Sequence, residues 1–499
     1  MGPRRVLAFA ALLATFAAAC TGGTGGPAEP SIRSVECPED IARVVLTQVE
    51  CGFLTVPEDR ANPESRTIDV FYMRVQPPGR TLGQPYFSFG YELAQVPSYA
   101  SISRPPGRDD QGNGPELVLM DQRGVGHSRP SLACPEVEGV ASDLLSSTEG
   151  IREPFLGAVQ ECRDRLVSEG IDLSAYTTEA AADDAEDLRR LLEIPSWNLI
   201  SFGTSSRLLL ELVRRHPEGI RALVMDSPQF PQTDDVTSAP DAIRAALTNL
   251  ARACRRDPVC REAYPDVVGA FDAALARLDA SPETVEVDQQ TVMVDAGAFV
   301  RAVRHLLSYN DAGAWGAIPS LIYEAGDGDV TAIARVLAGD PGLCIGYLPR
   351  CAFPTSLGAY LSFMCTGQAP FIDQAALEDA TSGPGFAEAY GRDPYLDACE
   401  VWDVEPVDAA AHEPVRSDVP TLIMWGEYDA FTPLDPVERA SQTLTKATVV
   451  SVPYLGQDVF GTYDCTRDIR NAWLPTLGPS PDTACLSTIP APTFEVGSD

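Results

Sequence analysis

Lysine is almost missing from this 499-residue chain: Lys446 is the only one. Arginine supplies the rest of the 37 basic side chains, against 71 Asp and Glu, for a net charge of −34. Charge this acidic excludes nucleic acid, and anionic lipid met through a basic face, as partners. Histidine is scarce too, with four residues, His127, His216, His305 and His412. The 13 cysteines contain no C-x-x-C and none of the histidines clusters with them, so no metal is expected. No cofactor is expected either. Beyond the N-terminus no apolar run approaches the ~20 residues that a membrane span needs. What is present is ordinary globular stock, 44% hydrophobic and 22% charged, long enough for a large core.

Met1-Gly2-Pro3-Arg4-Arg5 precedes an uncharged run from Val6 to Ala19, then Cys20. A positive n-region, a short apolar h-region and small residues predict a signal peptide over 1–19. Ala17-Ala18-Ala19-Cys20 resembles a lipobox, so Cys20 is expected to carry lipid, with 20–36 a flexible tether. Ordinary cleavage near Ala19 and secretion is the alternative. The protein is thus expected on the outer face of a bacterial cytoplasmic membrane, held only by lipid, or secreted. Without Cys20 the cysteines number 12, an even count that suits disulfides in an oxidising compartment. Proximity in sequence predicts Cys37–Cys51, Cys134–Cys162, Cys254–Cys260, Cys344–Cys351, Cys365–Cys399 and Cys465–Cys485.

Runs rich in β-branched and apolar residues predict strands at Val44–Val56, Thr67–Val75, Pro85–Phe89, Leu117–Met120, Trp197–Ile200 and Ala222–Met225. A helix over Thr178–Leu192, capped by Thr178, and one from about Ser206 to Arg215 alternate with them, which predicts a parallel sheet. From about Pro231 the texture turns Ala-rich and helical, with helices at Asp241–Arg255, Asp266–Leu278, Ala296–Leu307 and Trp315–Ala325. Strands return at Thr421–Trp425 and Ala447–Val452, with a helix at Pro436–Leu444 between them. The expected division is a core over 37–230, a helical lid over 231–415, the rest of the core over 416–488, and a Pro-rich irregular tail over 489–499.

Five stretches stand together in register: Cys51-Gly52-Phe53-Leu54-Thr55-Val56-Pro57; Asp121-Gln122-Arg123-Gly124-Val125-Gly126-His127-Ser128; Tyr176-Thr177-Thr178 leading to Trp197-Asn198-Leu199; Arg214-Arg215-His216-Pro217-Glu218-Gly219 leading to Met225-Asp226-Ser227-Pro228; and Gly426-Glu427-Tyr428-Asp429 before Thr432-Pro433. Across about 37–486 the chain resembles the α/β-hydrolase family of secreted tripeptidyl aminopeptidases and proline iminopeptidase-like exopeptidases. The resemblance implies a disulfide-rich α/β-hydrolase fold, with an eight-stranded, mostly parallel central sheet and a helical lid insertion. It also implies a Ser–Asp–His triad in that chain order.

The triad is where the sequence departs. The family's Gly-x-Ser-x-Gly elbow aligns with Ser201-Phe202-Gly203-Thr204-Ser205, which puts Gly203 at the nucleophile. Glycine has no atom that can attack a carbonyl, although it suits the strained backbone of an elbow. Ser201 or Ser205 as a displaced nucleophile is the rival to a plain polar turn. In Pro453-Tyr454-Leu455-Gly456-Gln457, the amide of Gln457 stands at the base position and cannot cycle a proton near neutral pH. Asp429 keeps the acid position, and this alignment allows it a hydrogen bond from Gln457. The oxyanion loop, in which Gly90, Tyr91 and Thr204 are the candidate residues, replaces a glycine run with Phe89-Gly90-Tyr91-Glu92. The expectation is a hydrolase fold without acyl-transfer chemistry, binding a peptide or small molecule between core and lid or binding a partner. Glu92, Asp458 and Asp429 are candidates for a peptide's free amine. The alternative is an active hydrolase or aminopeptidase with non-standard catalytic residues.

Overall fold

The computed structural model describes residues 28–44, 48–89, 111–137, 152–287, 290–308, 312–339, 356–391, 394–432 and 434–496. Cys20 and its flanks, Gly90, Tyr91, Glu92, and the Cys344–Cys351 pair lie outside them.

Eleven strands are named in chain order: β1 (Ser31–Val35), β2 (Val49–Pro57), β3 (Thr67–Val75), β4 (Tyr86–Phe89), β5 (Leu117–Met120), β6 (Trp197–Phe202), β7 (Ile220–Asp226), β8 (Glu283–Val287), β9 (Gln290–Val294), β10 (Thr421–Gly426) and β11 (Ala447–Val452). Nine of them build one sheet in the order β1-β2-β3-β5-β4-β6-β7-β10-β11. From β5 onward every neighbouring pair is parallel, while β1, β2 and β3 run antiparallel at the other edge. The eight strands implied by the resemblance are all present. The ninth, β1, corrects the reading of 20–36 as flexible throughout, because Ser31–Val35 pairs with Cys51–Thr55. The first core strand also begins at Val49, not Val44, which ends a short helix.

Both sheet faces are covered, and the strands show it by alternation. Ala222, Val224, Leu422 and Met424 enter one buried cluster, while Leu223, Met225, Ile423 and Trp425 enter the other. The second face is packed by the helices Thr178–Leu191, Ser205–Arg215 and Leu434–Thr443. Thr177, one residue before the expected cap, holds the first of these, its Oγ1 accepting from Ala180 N at 3.2 Å. The first face meets the helices Asp235–Arg256, Ala296–Ser308 and Asp464–Thr476.

Between β7 and β10 the chain is mostly helical, but it also contains the β8–β9 hairpin, which the sequence reading passed over. Five disulfides close among the described residues: Cys37–Cys51, Cys134–Cys162, Cys254–Cys260, Cys365–Cys399 and Cys465–Cys485. The tail is irregular yet docked: Ile489 is buried and Glu495 N donates to Gly316 O at 3.1 Å. No helix among the described residues is long and apolar enough to cross a membrane.

Candidate functional site

The parallel strands end together on one side of the sheet, and the loops leaving β6, β7, β10 and β11 meet there. The first carries the bend. β6 stops at Phe202, Gly203 has φ +53°, and the next helix starts at Ser205. Glycine takes this left-handed conformation at little cost. Its amide donates to Asp226 O at 3.1 Å, and its carbonyl accepts from Ser206 N at 3.1 Å and Gln229 N at 3.3 Å. The backbone elbow is therefore built, with a residue lacking a side chain at its apex.

The flanking hydroxyls are occupied within the turn. Ser201 Oγ and Ser206 Oγ are 2.8 Å apart and buried. Ser205 Oγ donates to Phe202 O at 2.8 Å and accepts from Phe202 N at 3.0 Å. Thr204 is half-buried and its side chain makes no cap bond to the helix. Among the described residues no imidazole hydrogen-bonds to Gly203, Ser201, Ser205 or Asp429.

Asp429 comes from the turn after β10 and is 2% exposed. Its Oδ1 accepts from Phe431 N at 2.8 Å and Thr432 N at 3.0 Å, while Oδ2 has no hydrogen-bond partner. The bond from Gln457 that the sequence suggested is therefore not formed. Burial pushes the Asp429 carboxyl up to about 6, against the pull of those two amides, the Ser227 hydroxyl and the Arg304 cation. The Ser227 hydroxyl is near enough to act on Asp429, but its geometry falls short of a hydrogen bond.

The loop after β11 holds Gln457, which is buried. Tyr454 and Asp458 on either side of it have φ +57° and +58°. The helix Ala296–Ser308 presses on this loop, since a Cβ on Gly456 would meet Leu307 O at 2.6 Å and Ser308 O at 3.0 Å. Asp226, at the end of β7, ties the same loop down. Its Oδ1 accepts from Val459 N at 3.0 Å and its Oδ2 from Phe460 N at 2.8 Å. Burial raises the Asp226 carboxyl well above the usual range, reinforced by the charge of Asp458. Asp458 is also raised by burial, and its Oδ1 accepts from Gly461 N at 2.9 Å.

Two residues of this region had no assigned role in the sequence reading. Asp226 lay within a quoted motif and was passed over. Arg304, from the helix Ala296–Ser308, reaches the β10 loop, where its Nε donates to Ala430 O at 3.2 Å. Its guanidinium carbon lies 3.7 Å from the centroid of the Phe431 ring. No signal in a single sequence separates this arginine from the others on amphipathic helices.

The Asp121–Ser128 motif is architectural. Arg123 pairs with Asp184 and donates to Glu58 O and Ala175 O, and Asp121 Oδ2 accepts from His127 N at 2.8 Å. His216 bonds Asp183 at 2.8 Å. Among the described residues two groups could hold a metal by distance, Cys134–Glu136–Cys162 and Glu186–His216–Glu218. The first is spent on a disulfide, and Glu186 of the second pairs with Arg189.

The family model described as TAP-like protein matches residues 386–485. Carboxylesterase B of Mycobacterium tuberculosis is 24% identical over 238 residues, a stretch covering 45% of this chain and 45% of that protein. The chain therefore matches less than half the length of this curated relative. Among solved structures, the proline iminopeptidase-related protein of Thermus thermophilus is 14% identical, covering 87% of this chain and 99% of that one, with a TM-score of 0.35. An esterase of Thermogutta terrifontis is 15% identical, covering 82% and 94%, with a TM-score of 0.34. The sheet order and the bend after β6 are those of an α/β-hydrolase fold, and within it the C-terminal segment 386–485 is similar to TAP-like proteins.

Proposed function

We propose that this protein keeps the α/β-hydrolase fold without acyl-hydrolase activity, and that it is an exported binding protein for a peptide or small molecule. Gly203 at the apex of the bend carries the reading, since catalysis by acyl transfer needs a nucleophilic side chain there. The local bonds of Ser201 and Ser205 argue against a neighbour taking over. In related triads, loss of the nucleophile costs on the order of 10⁴–10⁶ in rate. Incubation with a fluorophosphonate probe should leave the protein unlabelled. A panel of aminoacyl amides, tripeptide amides and short-chain esters should turn over no faster than with heat-denatured protein. Covalent labelling of Ser201 or Ser205 would overturn the proposal.

A second reading has its own support. Asp429, with a free Oδ2 and a carboxyl near 6, has the proton affinity of a general base acting on water. On that reading the panel would show turnover without labelling, abolished by Asp429→Asn.

Export is part of the proposal. Five disulfides suit an oxidising compartment. Mass spectrometry of the mature N-terminus should find a diacylglyceryl group on Cys20, and an N-terminus near Cys20 without lipid, from ordinary cleavage near Ala19, would mean secretion instead.

A further inference from the structure

Arg304 is 6% exposed, and its contacts are neutral ones. Nε donates to Ala430 O at 3.2 Å and Nη1 donates to the Tyr390 hydroxyl at 3.3 Å. The Phe431 and Tyr390 rings lie 3.7 and 5.4 Å from its guanidinium carbon. Among the described residues no carboxylate forms an ion pair with it. Two other buried arginines are neutralised directly, Arg123 by Asp184 at 2.8 Å and Arg207 by Asp235 at 3.0 Å. Asp235 is thus already committed to Arg207, and although the charges of Asp235 and Asp429 both act on Arg304, neither carboxylate forms an ion pair with it. A cation taken out of water without a directly bonded carboxylate is costly, and an external one would relieve that cost.

The surroundings add the other half of a ligand. Ser227 Oγ, Gln229 Oε1 and Asp429 Oδ2 are buried and have no hydrogen-bond partner. Asp429 belongs to the loop after β10, which Arg304 touches, and Ser227 and Gln229 to the loop after β7, joined to it by the bond from Thr432 Oγ1 to Ser227 O at 3.2 Å. Gln229 in turn touches the bend through Gly203 O. Two of these orphans can only accept, so they call for N–H donors, while Arg304 calls for an anion.

We infer that the ligand is a short peptide or amino acid with a free carboxylate, the carboxylate bound by Arg304 and its N–H groups by Asp429 Oδ2 and Gln229 Oε1. This rests on the binding reading above and specifies its ligand. A guanidinium paired with a carboxylate out of water should be worth at least about tenfold in affinity.

The test is calorimetric titration and thermal unfolding of the full chain with Ala-Ala, Ala-Ala-amide, N-acetyl-Ala-Ala and inorganic phosphate. Wild type, Arg304→Gln and Arg304→Lys are compared. Ala-Ala should bind wild type at least about tenfold more tightly than its amide, and Arg304→Gln should abolish that preference while Arg304→Lys keeps part of it. N-acetyl-Ala-Ala should keep the preference for a free carboxylate. If acid and amide bind wild type equally, the assignment of Arg304 is overturned while the binding reading stands. If no peptide binds, both fall. Phosphate binding as tight as Ala-Ala would mean a simple anion site and overturn the peptide assignment. Should the Arg304 variants not fold, the comparison of acid and amide on wild type still decides.

Discussion

Acidification from about pH 7.5 to about pH 5 is expected to stabilise this protein, and Asp429→Asn to remove much of the gain. The Asp429 carboxyl is held at about 6 in the fold, against an ordinary 3.8. A rise of about two units corresponds to roughly 3 kcal/mol of strain on the ionised form. The sign follows from proton binding. Between about pH 4 and 6 the folded state holds a proton that the unfolded state has released, so stability is highest below that window and is lost as pH rises through it. Asp226 and Asp458 are shifted the same way by burial and add to the slope. Asp69 and Asp183 are shifted down, with desolvation outweighed by bonds from Thr55, Arg33, Arg215 and His216. Their opposite effect enters only at lower pH. Calorimetric melting at half-unit steps from pH 8 to 5 checks this. The side-chain amide of the Asp429→Asn variant would keep an oxygen for the Phe431 and Thr432 amides, so that variant should be the more stable protein at pH 7.5. A melting temperature that falls steadily from pH 7 to 5 would sink the account.

The second large effect is expected at Asp184. This carboxylate is fully buried and accepts two bonds from Arg123, at 2.9 and 2.8 Å, and one from Arg60 at 2.5 Å. Arg123 also donates to the carbonyls of Glu58 and Ala175, at 2.8 and 2.6 Å. One side chain thereby joins the end of β2, the loop after β5 and the segment before the helix Thr178–Leu191. Asp184→Ala leaves the Arg123 cation buried and unpaired, and should cost about 3–5 kcal/mol. Arg60 keeps Asp187 at 2.8 Å and suffers less. The double variant Arg123→Met/Asp184→Leu removes both buried charges and should lose less than Asp184→Ala alone. Urea titrations of the three proteins measure this. A loss below about 1 kcal/mol for Asp184→Ala would mean that Arg123 is solvated well enough to stand alone.

The core was legible in the sequence where local pattern and tertiary setting agree. Leu117–Met120 is an apolar run inside the sheet and Ala447–Val452 a β-branched run at its edge, half of it facing out, and the bounds of both match the structure. The bend after β6 was legible because only one registration keeps Asn198 and Arg207 in place around a glycine, and that glycine has the positive φ a sharp strand-to-helix turn demands. β1 was not legible. Ser31–Val35 is polar and half exposed, and it is a strand because β2 offers an open edge. The β8–β9 hairpin had a usable signal in the valines at 285, 287, 292 and 294, but helical neighbours on both sides masked it. Arg304 was beyond reach for a different reason. Its environment is set by Ala430 and Phe431, more than a hundred residues away.

The placement of the cross-links bears on how the molecule opens. Among the described residues, each disulfide joins cysteines 6 to 34 positions apart, and none ties the segment between β7 and β10 to the sheet. The covalent bonds therefore stiffen each layer by itself. Non-covalent links join the two: apolar packing, Arg304 on Ala430 and Phe431, and Asn249 Nδ2 donating to Glu427 O. Parting of the two along this seam would therefore break none of these five sulfur–sulfur bonds.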